Sequence, residues 1–497
     1  MTEYPAFIGG YSLSQSPIAN CGTLQNCYVQ ALNGMIGSKS GKCLYPIPGV
    51  ERFGSVAQTG GKRFFSTAAS NSRVFSVTGM RLYEWFIDGS AIERGTVAVD
   101  GNPATICTNG DGGQQLGITA GGNFYCYDLL TDTLTLVLTG TGTQAGFIKG
   151  YFLVFDLATG TVNQSDLYDG LTFDPANFFQ RNTQADDWNA LFISSLGRAF
   201  LPGTKTRDNY EDIGTFPIPF APSDAGLQPE GCVATFSVAE AGNAVCWLGT
   251  AGQSGGYKVY AASGYRATVI SDESISFALS QFTQDEIAAA TGESYTDQDQ
   301  DFFLLTVGDT TFGYAFQTNL WHTRRTFTSA ISGELGPWRA RWHCFGFNKH
   351  LWLDNDTGVA YESDISFPLD VDGLEIQRQR TAPSIRVLND VIDIGDIELI
   401  LQVGVGNANA PGVTPTITLA ISGDGGMTWG PERSASIGRL GQYMVRVRWQ
   451  SNGIPEARDV AFRFTMTDAI NNYRIMMLLV DLRRENGQPI NLARMAA

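Results

Sequence analysis

The sequence has few charged residues, and most of those it has are acidic. Charged side chains make up 16% of the 497 residues, well below the roughly 25% that is usual for soluble domains. Lys and Arg number 33 against 49 Asp and Glu, which gives a formal net charge of −16. This sign excludes a protein that holds DNA by neutralising its phosphates. Any contact with DNA is therefore expected to be passive.

Histidine is also scarce, and no cysteines are arranged as a pair. Any histidine-based catalysis or metal site would have to use His322, His343 or His350. The first two each follow a tryptophan in a strand-like run, which favours packing in the core or in a turn. The eight cysteines include no C-x-x-C pair, which argues against a zinc ribbon or a disulfide framework and favours reduced thiols.

Long hydrophobic runs are absent as well. The most compact apolar run, Ile475 to Val480, is far shorter than the about 20 residues that a membrane-spanning helix needs. The opening residues, Met1 to Pro5, lack the basic segment of a signal peptide. We therefore expect no export signal and no membrane insertion.

Glycine is abundant, at 57 residues, and aromatic residues make up 11% of the chain. From about residue 60 to 365, short aromatic and β-branched runs alternate with turn residues, as in Phe124–Asp128, Tyr151–Asp156 and Phe312–Phe316. These runs predict β-strands. Their weak repetition at blade-like spacing favours a β-propeller, although the period is too irregular to give the number of blades.

After about residue 368 the predicted strands are longer, as in Thr416–Ile421 and Gln442–Trp449. Turns are expected at Asp424–Gly426 and Asn452–Gly453, and an exposed loop at Val405–Thr414. The predicted fold class is therefore all-β, a β-propeller with an additional C-terminal β-sandwich-like domain. We expect three parts. Residues 1–60 form an N-terminal extended segment that joins the propeller, residues 61–367 form the propeller, and residues 368–497 form the sandwich-like domain.

One segment has the chemistry of a helix. Thr283 and Glu286 have the spacing of a capping box, the residues after them continue a helix, and Gly292 is where it is expected to stop. Around it, the stretch between Arg266 and Arg324 contains no Lys or Arg but nine acidic residues. The simple interpretation is a solvated acidic face, and a sharper one is a surface that repels passing DNA.

Two motifs resemble those of enzymes. Gly252–Gly256 fits G-x-S-x-G, but a strand-like run follows it where a nucleophile elbow needs a helix, so we interpret it as a hairpin turn. Ser422–Trp429 fits the S-x-D-x-G-x-T-W Asp box of sialidases and other propeller proteins. The physics of this box is that of a turn, in which the Asp accepts backbone N–H groups and the Trp packs beneath the hairpin.

Two further patterns are incomplete. Asp297–Asp301 resembles the start of a calcium loop, but Phe302 and Gly308 occupy positions that need Gly and Glu. Gly37–Cys43 resembles a phosphate-binding loop, but it is one residue short and lacks the Ser or Thr that holds Mg²⁺. We therefore predict no catalytic, cofactor-binding or metal-binding residue, and no cofactor.

Taken together, motifs along nearly the whole chain resemble the packaged-DNA stabilisation protein, or tail hub (nozzle), family of short-tailed bacteriophages. Each motif is weak alone, but their shared order carries the resemblance, and the stretch Leu201 to Pro222 departs from the family pattern. The matching segments are Asn26–Tyr28, Leu44–Val50, Leu167–Phe173, Trp247–Gly249, Tyr257–Arg266, Asn319–Arg324, Trp338–Ala340, Asp356–Glu362, Arg380–Pro383, Ser422–Trp429, Gly438–Tyr443 and Arg446–Trp449.

This resemblance implies a non-enzymatic virion protein of the phage tail, assembled in the host cytoplasm. It implies a homo-oligomer, a six-fold ring below the portal and its adaptor or head-to-tail connector. The ring's channel is sealed by a tail needle or plug, and tail spikes or fibres lie beside it. Double-stranded DNA would pass through without specific binding, while the ring closes the channel and stabilises packaged DNA.

Two other classes of function remain open. A receptor- or glycan-binding tail module would use exposed Trp and Tyr side chains. A tail-associated glycan hydrolase is supported only by the single Asp box, because the arginine cluster and the tyrosine and acid pair of a sialidase cannot be placed in the sequence.

Overall fold

In the computed structural model, the described part of the chain is almost entirely β-structure joined by short turns. The structure describes residues 1–32, 41–67, 72–181, 184–223, 226–250, 256–329, 331–387, 391–450, 457–471, 473–484, 487–490 and 492. The strands of the first sixty residues are β1 (Thr2–Glu3), β2 (Ser12–Leu13), β3 (Cys21–Gln25), β4 (Cys27–Ala31), β5 (Lys42–Pro46) and β6 (Gly49–Ser55).

The central part of the chain forms a β-propeller, and the described residues make seven blades of four antiparallel strands each. The first four blades are β7 (Gly61–Ser66), β8 (Val74–Thr78), β9 (Arg81–Trp85), β10 (Ala91–Thr96); β11 (Thr105–Thr108), β12 (Gln115–Ala120), β13 (Asn123–Asp128), β14 (Thr133–Leu138); β15 (Gln144–Ile148), β16 (Tyr151–Asp156), β17 (Thr161–Asp166), β18 (Asp169–Gln180); and β19 (Phe192–Ile193), β20 (Ala199–Pro202), β21 (Arg207–Asp212), β22 (Phe220–Pro222).

The remaining three blades complete the ring, and the seventh takes its fourth strand, β6, from near the start of the chain. Their strands are β23 (Ala239–Ala241), β24 (Ala244–Thr250), β25 (Tyr257–Ser263), β26 (Arg266–Val269); β27 (Thr291–Asp297), β28 (Gln300–Val307), β29 (Thr310–Ala315), β30 (Leu320–Phe327), with β31 (Leu335–Pro337) paired to β30; and β32 (Ala340–Gly346), β33 (Lys349–Asp354), β34 (Val359–Asp364).

Apolar clusters between successive blades close the ring. Within the described residues, one such cluster lies at every junction, including the junction between blades seven and one, where Trp85 packs near Trp342. Strand β6 pairs with β34 in register Tyr361↔Arg52. Side-chain packing therefore holds neighbouring blades together at every junction. In the seventh blade, backbone hydrogen bonds between β6 and β34 also connect the start of the chain to the propeller.

The C-terminal strands form a β-sandwich around a separate apolar core. Both sheets of this sandwich contain N-terminal strands: β1, β4 and β5 lie in the sheet of β42, and β2 and β3 in the sheet of β41. The C-terminal strands are β35 (Arg378–Thr381), β36 (Ile385–Arg386), β37 (Ile392–Leu401), β38 (Thr416–Ser422), β39 (Arg433–Ser436), β40 (Val447–Trp449), β41 (Asp459–Met466) and β42 (Ile475–Arg484).

The two domains share one sheet. Strand β3 lies beside β30 of blade six through the parallel bridge Gln25↔Thr323, and beside β35 of the sandwich through antiparallel pairs. The all-β propeller and sandwich prediction is confirmed. The domain boundaries at residues 60 and 367 stay a prediction. The strand pairing shows in addition that β1 to β5 belong to the sheets of the sandwich.

The helices are short: α1 (Gly110–Gly113), α2 (Glu273–Leu279) and α3 (Gln284–Ala288), with 3-10 turns at Pro5–Phe7 and Val371–Gly373. The predicted capping box of Thr283 and Glu286 begins α3. The predicted stop at Gly292 is wrong, because the helix ends at Ala288 and Gly292 lies in β27. A Cβ at Gly292 would lie 2.1 Å from the carbonyl oxygen of Ser237, so glycine there permits close approach of blades five and six.

Two predictions for the sandwich have different outcomes. The strand at Thr416–Ile421 is confirmed as part of β38, whereas the strand predicted over Gln442–Trp449 is present only at its end, as β40. The first part is a turn that directly follows Gly441, which has φ +86°. Glycine favours this left-handed backbone conformation, which ends the extended pattern that the alternation suggested.

Candidate functional site

An axial cavity of about 690 Å³ runs through the centre of the propeller. All seven blades contribute to its wall, mainly through their first strands or the residues just before them, with Phe65, Ile106, Phe147, Phe192 and Phe236 among its apolar lining. This volume is in the range of a small-molecule pocket, about 300–1,000 Å³. A passage for duplex DNA would have to be much wider than a small-molecule pocket, because the major groove of B-DNA alone is about 12 Å across. The axis of one propeller is therefore not a conduit for duplex DNA.

Polar side chains tie blades together across this axis. The Gln144 amide donates to the carbonyl of Thr235 at 2.9 Å and accepts from the N–H of Leu191 at 2.7 Å, which connects blade three to the entries of blades four and five. Arg63 of blade one reaches Glu293 of blade six at 3.0 Å. Burial raises the pKa of the Glu293 carboxyl, and the Arg63 charge opposes that rise.

The three histidines form one aromatic cluster between blades six and seven. His343 Nε2 lies 3.1 Å from His350 Nδ1, and the His322 ring packs on Phe302 at 5.8 Å. Burial lowers the pKa of His343 to about 3, with smaller contributions from His350 and Arg63. Burial and then Arg324 hold the pKa of His322 well below its usual value. The predicted core position is confirmed for His322, although its Nδ1 makes no hydrogen bond with any described residue. His343 is half-buried in β32, and no pattern in the sequence indicated that the three histidines converge.

The joint between propeller and sandwich is made by buried side chains that bind backbone carbonyls. Asn26 donates to the carbonyls of Arg325 and Gln377, both at 2.9 Å, and accepts from the N–H of Arg325. The Asn471 amide donates to the carbonyls of Ile47 and Ile365. Asn26 therefore connects the propeller to the sandwich. Like Arg380, it lies in a motif of the family resemblance.

Arg380 holds the N-terminal segment onto the sandwich. Its guanidinium donates to four carbonyls, those of Ala6, Phe7, Gly10 and Thr23, at 2.8 to 3.1 Å. These are charge-assisted hydrogen bonds in a buried setting, which makes them stronger than neutral ones. No pattern in the sequence predicted these contacts, because the carbonyls lie more than 350 positions away along the chain.

The Asp box is a turn, as predicted. Asp424 accepts from the N–H of Thr428 at 2.9 Å and from its hydroxyl at 2.5 Å, while Ser422 donates to Asp424 at 2.6 Å. Partial burial raises the pKa of Asp424, but these hydrogen bonds outweigh it and lower the pKa to about 2. Trp429 stacks against Arg463. The arrangement is structural and leaves the carboxylate saturated with donors.

The other sequence motifs are also turns or lie where the structure gives no description. Asp297 pairs with Gln300 across a two-residue hairpin turn, so the calcium-like run is a tight turn. The G-x-S-x-G serine and Gly37 to Ser40 lie outside the described residues, and strand β25 follows the first of these patterns. Among the described residues, no three His, Cys, Asp or Glu side chains come together to hold a metal ion.

The acidic stretch between Arg266 and Arg324 is mostly solvated. Six of its nine acids are exposed, whereas Glu293 is buried in its pair with Arg63. Asp272 caps α2 and Glu286 belongs to the capping box of α3, so part of this charge stabilises helix starts. The exposed members are Asp272, Glu273, Asp285, Glu286, Asp299 and Asp309.

The eight cysteines are all free, which agrees with the predicted reduced thiols. Burial raises the pKa of Cys27 and Cys232 to about 11, so neither is an activated nucleophile. In the described part of the chain, no helix has the length and apolar composition needed to cross a bilayer.

Sequence comparisons place two family models on the chain. Residues 29–365 match the model described as bacteriophage P22 Gp10, beta-propeller, and residues 377–475 match the one described as bacteriophage P22 Gp10, beta-sandwich. The first match alone covers more than half of the chain. No curated protein sequence matches.

Solved structures are similar to the chain only at a low level. Virginiamycin B lyase from Staphylococcus aureus is 9% identical, with a TM-score of 0.41, over 63% of this chain and 98% of its own. PorZ, a type-IX secretion component of Porphyromonas gingivalis, is 12% identical, with a TM-score of 0.34, over 70% of this chain and 44% of its own. At these scores neither likeness bears on function.

Proposed function

The chain belongs to the bacteriophage P22 Gp10 family of virion structural proteins, and we propose that it is a hub, or nozzle, subunit of a short phage tail. In this proposal several copies form a ring below the portal and its adaptor. The ring closes the DNA channel, stabilises the packaged genome and forms part of the ejection conduit. Its other neighbours are a tail needle or plug and tail spikes or fibres.

The small volume of the axial cavity is the observation that supports a ring of several copies. Since a cavity of about 690 Å³ is of small-ligand size, a single propeller does not offer DNA a path. A subunit of a conduit must then surround DNA together with other copies, which is the arrangement of a closed cyclic oligomer. The proposed channel therefore lies between subunits and outside each propeller.

The charge of the chain supports passive passage of DNA. A net charge of −16 disfavours binding to a polyanion, so retention would come from protein contacts that close the ring. The exposed acids between Arg266 and Arg324 are suited to a wall along which DNA slides. We propose no catalytic step, because the motifs that suggested chemistry are built as turns or have strand neighbours.

Complementation in a phage that encodes this chain would test the proposal. Particles made without the protein should package DNA and then lose it, and supplying the chain in trans should restore full heads. The measurement is the ratio of full to empty heads by cryo-electron microscopy, with nuclease-accessible DNA counted in parallel. Heads that stay full and fail only to adsorb would overturn the hub proposal in favour of a receptor-binding module.

A further inference from the structure

Blades three and four present exposed apolar side chains beside unpaired acids. The turn between β17 and β18 exposes Leu167 and Tyr168, and the loop between β21 and β22 exposes Ile213 and Phe216, the latter at 94%. Blade three contacts the second of these loops, since Gln164 of β17 donates to the carbonyl of Pro217 at 3.2 Å. Turn tips are usually polar, so apolar tips at neighbouring turns indicate a contact surface.

We call this surface the blade patch: Asp166, Leu167, Tyr168, Asp212, Ile213 and Phe216. Its two aspartates are exposed, and neither makes an ion pair with any described residue. The patch is therefore both apolar and acidic.

The sandwich carries a patch of the opposite charge. The loop between β39 and β40 exposes Leu440, Tyr443 and, at 94%, Met444. Arg439 and Arg446 flank these apolar side chains, and residues 437–450 contain no acid. Arg446 is paired with Glu398, whereas Arg439 makes no ion pair within the described part of the chain. We call these five side chains, residues 439, 440, 443, 444 and 446, the loop patch.

The loop patch is held in a defined shape. Gly441 donates to the carbonyl of Gly404 at 3.1 Å, and Gln442 donates to the carbonyl of Arg439 at 3.0 Å. A groove of about 460 Å³ lies beside it, with Leu440, Tyr443 and Arg474 in its wall. Tyr, Met and Arg are the residue types enriched in protein interfaces. An ordered loop of this composition is suited to docking.

The two patches of one copy cannot satisfy each other. The sandwich is joined to blade six through β3 and β30, whereas the blade patch lies on blades three and four, across the seven-bladed ring. The occupant of each patch must therefore come from another molecule. Two different patches that bind each other between copies form a heterologous interface, which is the type that generates rings.

We infer that the loop patch of one copy docks on the blade patch of a second copy of this chain. The inference rests on the proposed ring and names the surfaces through which neighbouring subunits meet. The exposed apolar side chains become buried against each other, and Arg439 lies opposite Asp166 or Asp212. Charge complementarity then fixes the register of the contact.

A charge swap tests the docking on the full chain by sedimentation velocity over a range of concentrations. Arg439→Glu should weaken self-association at least about tenfold, because it places like charges across the interface. The double substitution Asp166→Arg with Asp212→Arg should do the same. Combining all three substitutions in one chain should restore most of the association, since each interface again pairs opposite charges.

Matched controls separate this effect from net charge and from misfolding. Arg266→Glu and Asp100→Arg change exposed charges elsewhere on the propeller and should leave association unchanged. Circular dichroism and thermal melting of every variant should match the parent protein.

The outcomes distinguish the docking from the ring itself. Parent protein that stays monomeric at all concentrations would count against the proposed ring and the docking together. Parent protein that assembles while Arg439→Glu assembles equally well would overturn the docking alone. Weakened assembly that the combined variant does not restore would show that Arg439 contacts a different surface of the second copy, and would also overturn this pairing.

Discussion

The propeller and the sandwich are built from the chain in different ways. The propeller is a continuous middle segment whose blades each form from neighbouring strands, with β6 as the only non-neighbour among its described strands. The sandwich takes strands from both ends, and its sheets join β1 to β42 and β3 to β35. The comparison teaches that the propeller depends on repeated local contacts, while the sandwich depends on a few contacts between distant parts of the chain.

A second difference is where the titratable groups lie. All three histidines are in blades six and seven, and none is in the sandwich. The buried groups that hold the sandwich to the N-terminal segment are instead Arg380 and amide side chains. The two regions should therefore respond differently to a cavity, to acid and to the loss of one arginine.

The largest effect is expected from a cavity in the propeller. Trp352 is fully buried, packs against Trp338 at 4.6 Å and donates to Ser363 at 2.9 Å. Trp352→Ala should lower the free energy of unfolding by about 3–5 kcal/mol, measured by denaturant unfolding. Hydrogen exchange should increase in blades six and seven and stay unchanged in the sandwich. Equal loss of protection in both domains would show that they unfold as one unit, and Trp352→Phe should have a smaller effect.

Acid should also destabilise the propeller before the sandwich. The folded-state pKa of His343 is about 3, below its unfolded value of about 6.5. The unfolded state therefore binds a proton first, and stability is lost as pH falls from about 6.5 towards 3. One such group gives at most about 1.4 kcal/mol per pH unit, or about 3 kcal/mol by pH 4.

Replacing His343 would isolate its share of this acid response. His343→Gln should reduce the slope of stability against pH between 6.5 and 4, measured by denaturant unfolding at each pH. His322→Gln is the matched comparison, because its pKa is lowered in the same direction. An unchanged slope in both variants would contradict the assignment.

The smallest of the three effects is expected at the sandwich joint. Arg380→Met keeps much of the side-chain length but leaves four carbonyls without their donor. The expected loss is about 2–3 kcal/mol, in the range of hydrogen bonds to a charged group. Faster hydrogen exchange should be confined to residues 1–25 and their partner strands. Faster exchange in blades one to five would contradict a joint that acts only on the sandwich.

Local patterns in the sequence predicted the propeller strands well. The runs Phe124–Asp128 and Tyr151–Asp156 lie in β13 and β16, because each is a short run of aromatic and other apolar residues followed by a turn. The capping box of α3 is equally local, since its two hydrogen bonds join residues three positions apart. The Asp box was identified for the same reason.

Contacts between distant residues were not predictable in this way. The union of β1 to β5 with the sandwich, the cluster of three histidines and the four carbonyls held by Arg380 depend on folding of the whole chain. The failed strand at Gln442–Trp449 has a related cause. Its alternation of side chains is real, but Gly438 and Gly441 adopt positive φ, and the backbone forms a projecting loop.

The placement of β3 between two domains sets an order of events during synthesis. Gln25 of β3 donates to Gln377, 352 positions later, so its sandwich neighbour emerges roughly 20 to 70 s afterwards at about 5–20 residues per second. Until then β3 can pair with β2 and with β30 of blade six, but its other edge lacks β35 while the blades form. The ribosome thus completes the sandwich last, and a chain released early would have a formed propeller with a strand edge open to other chains.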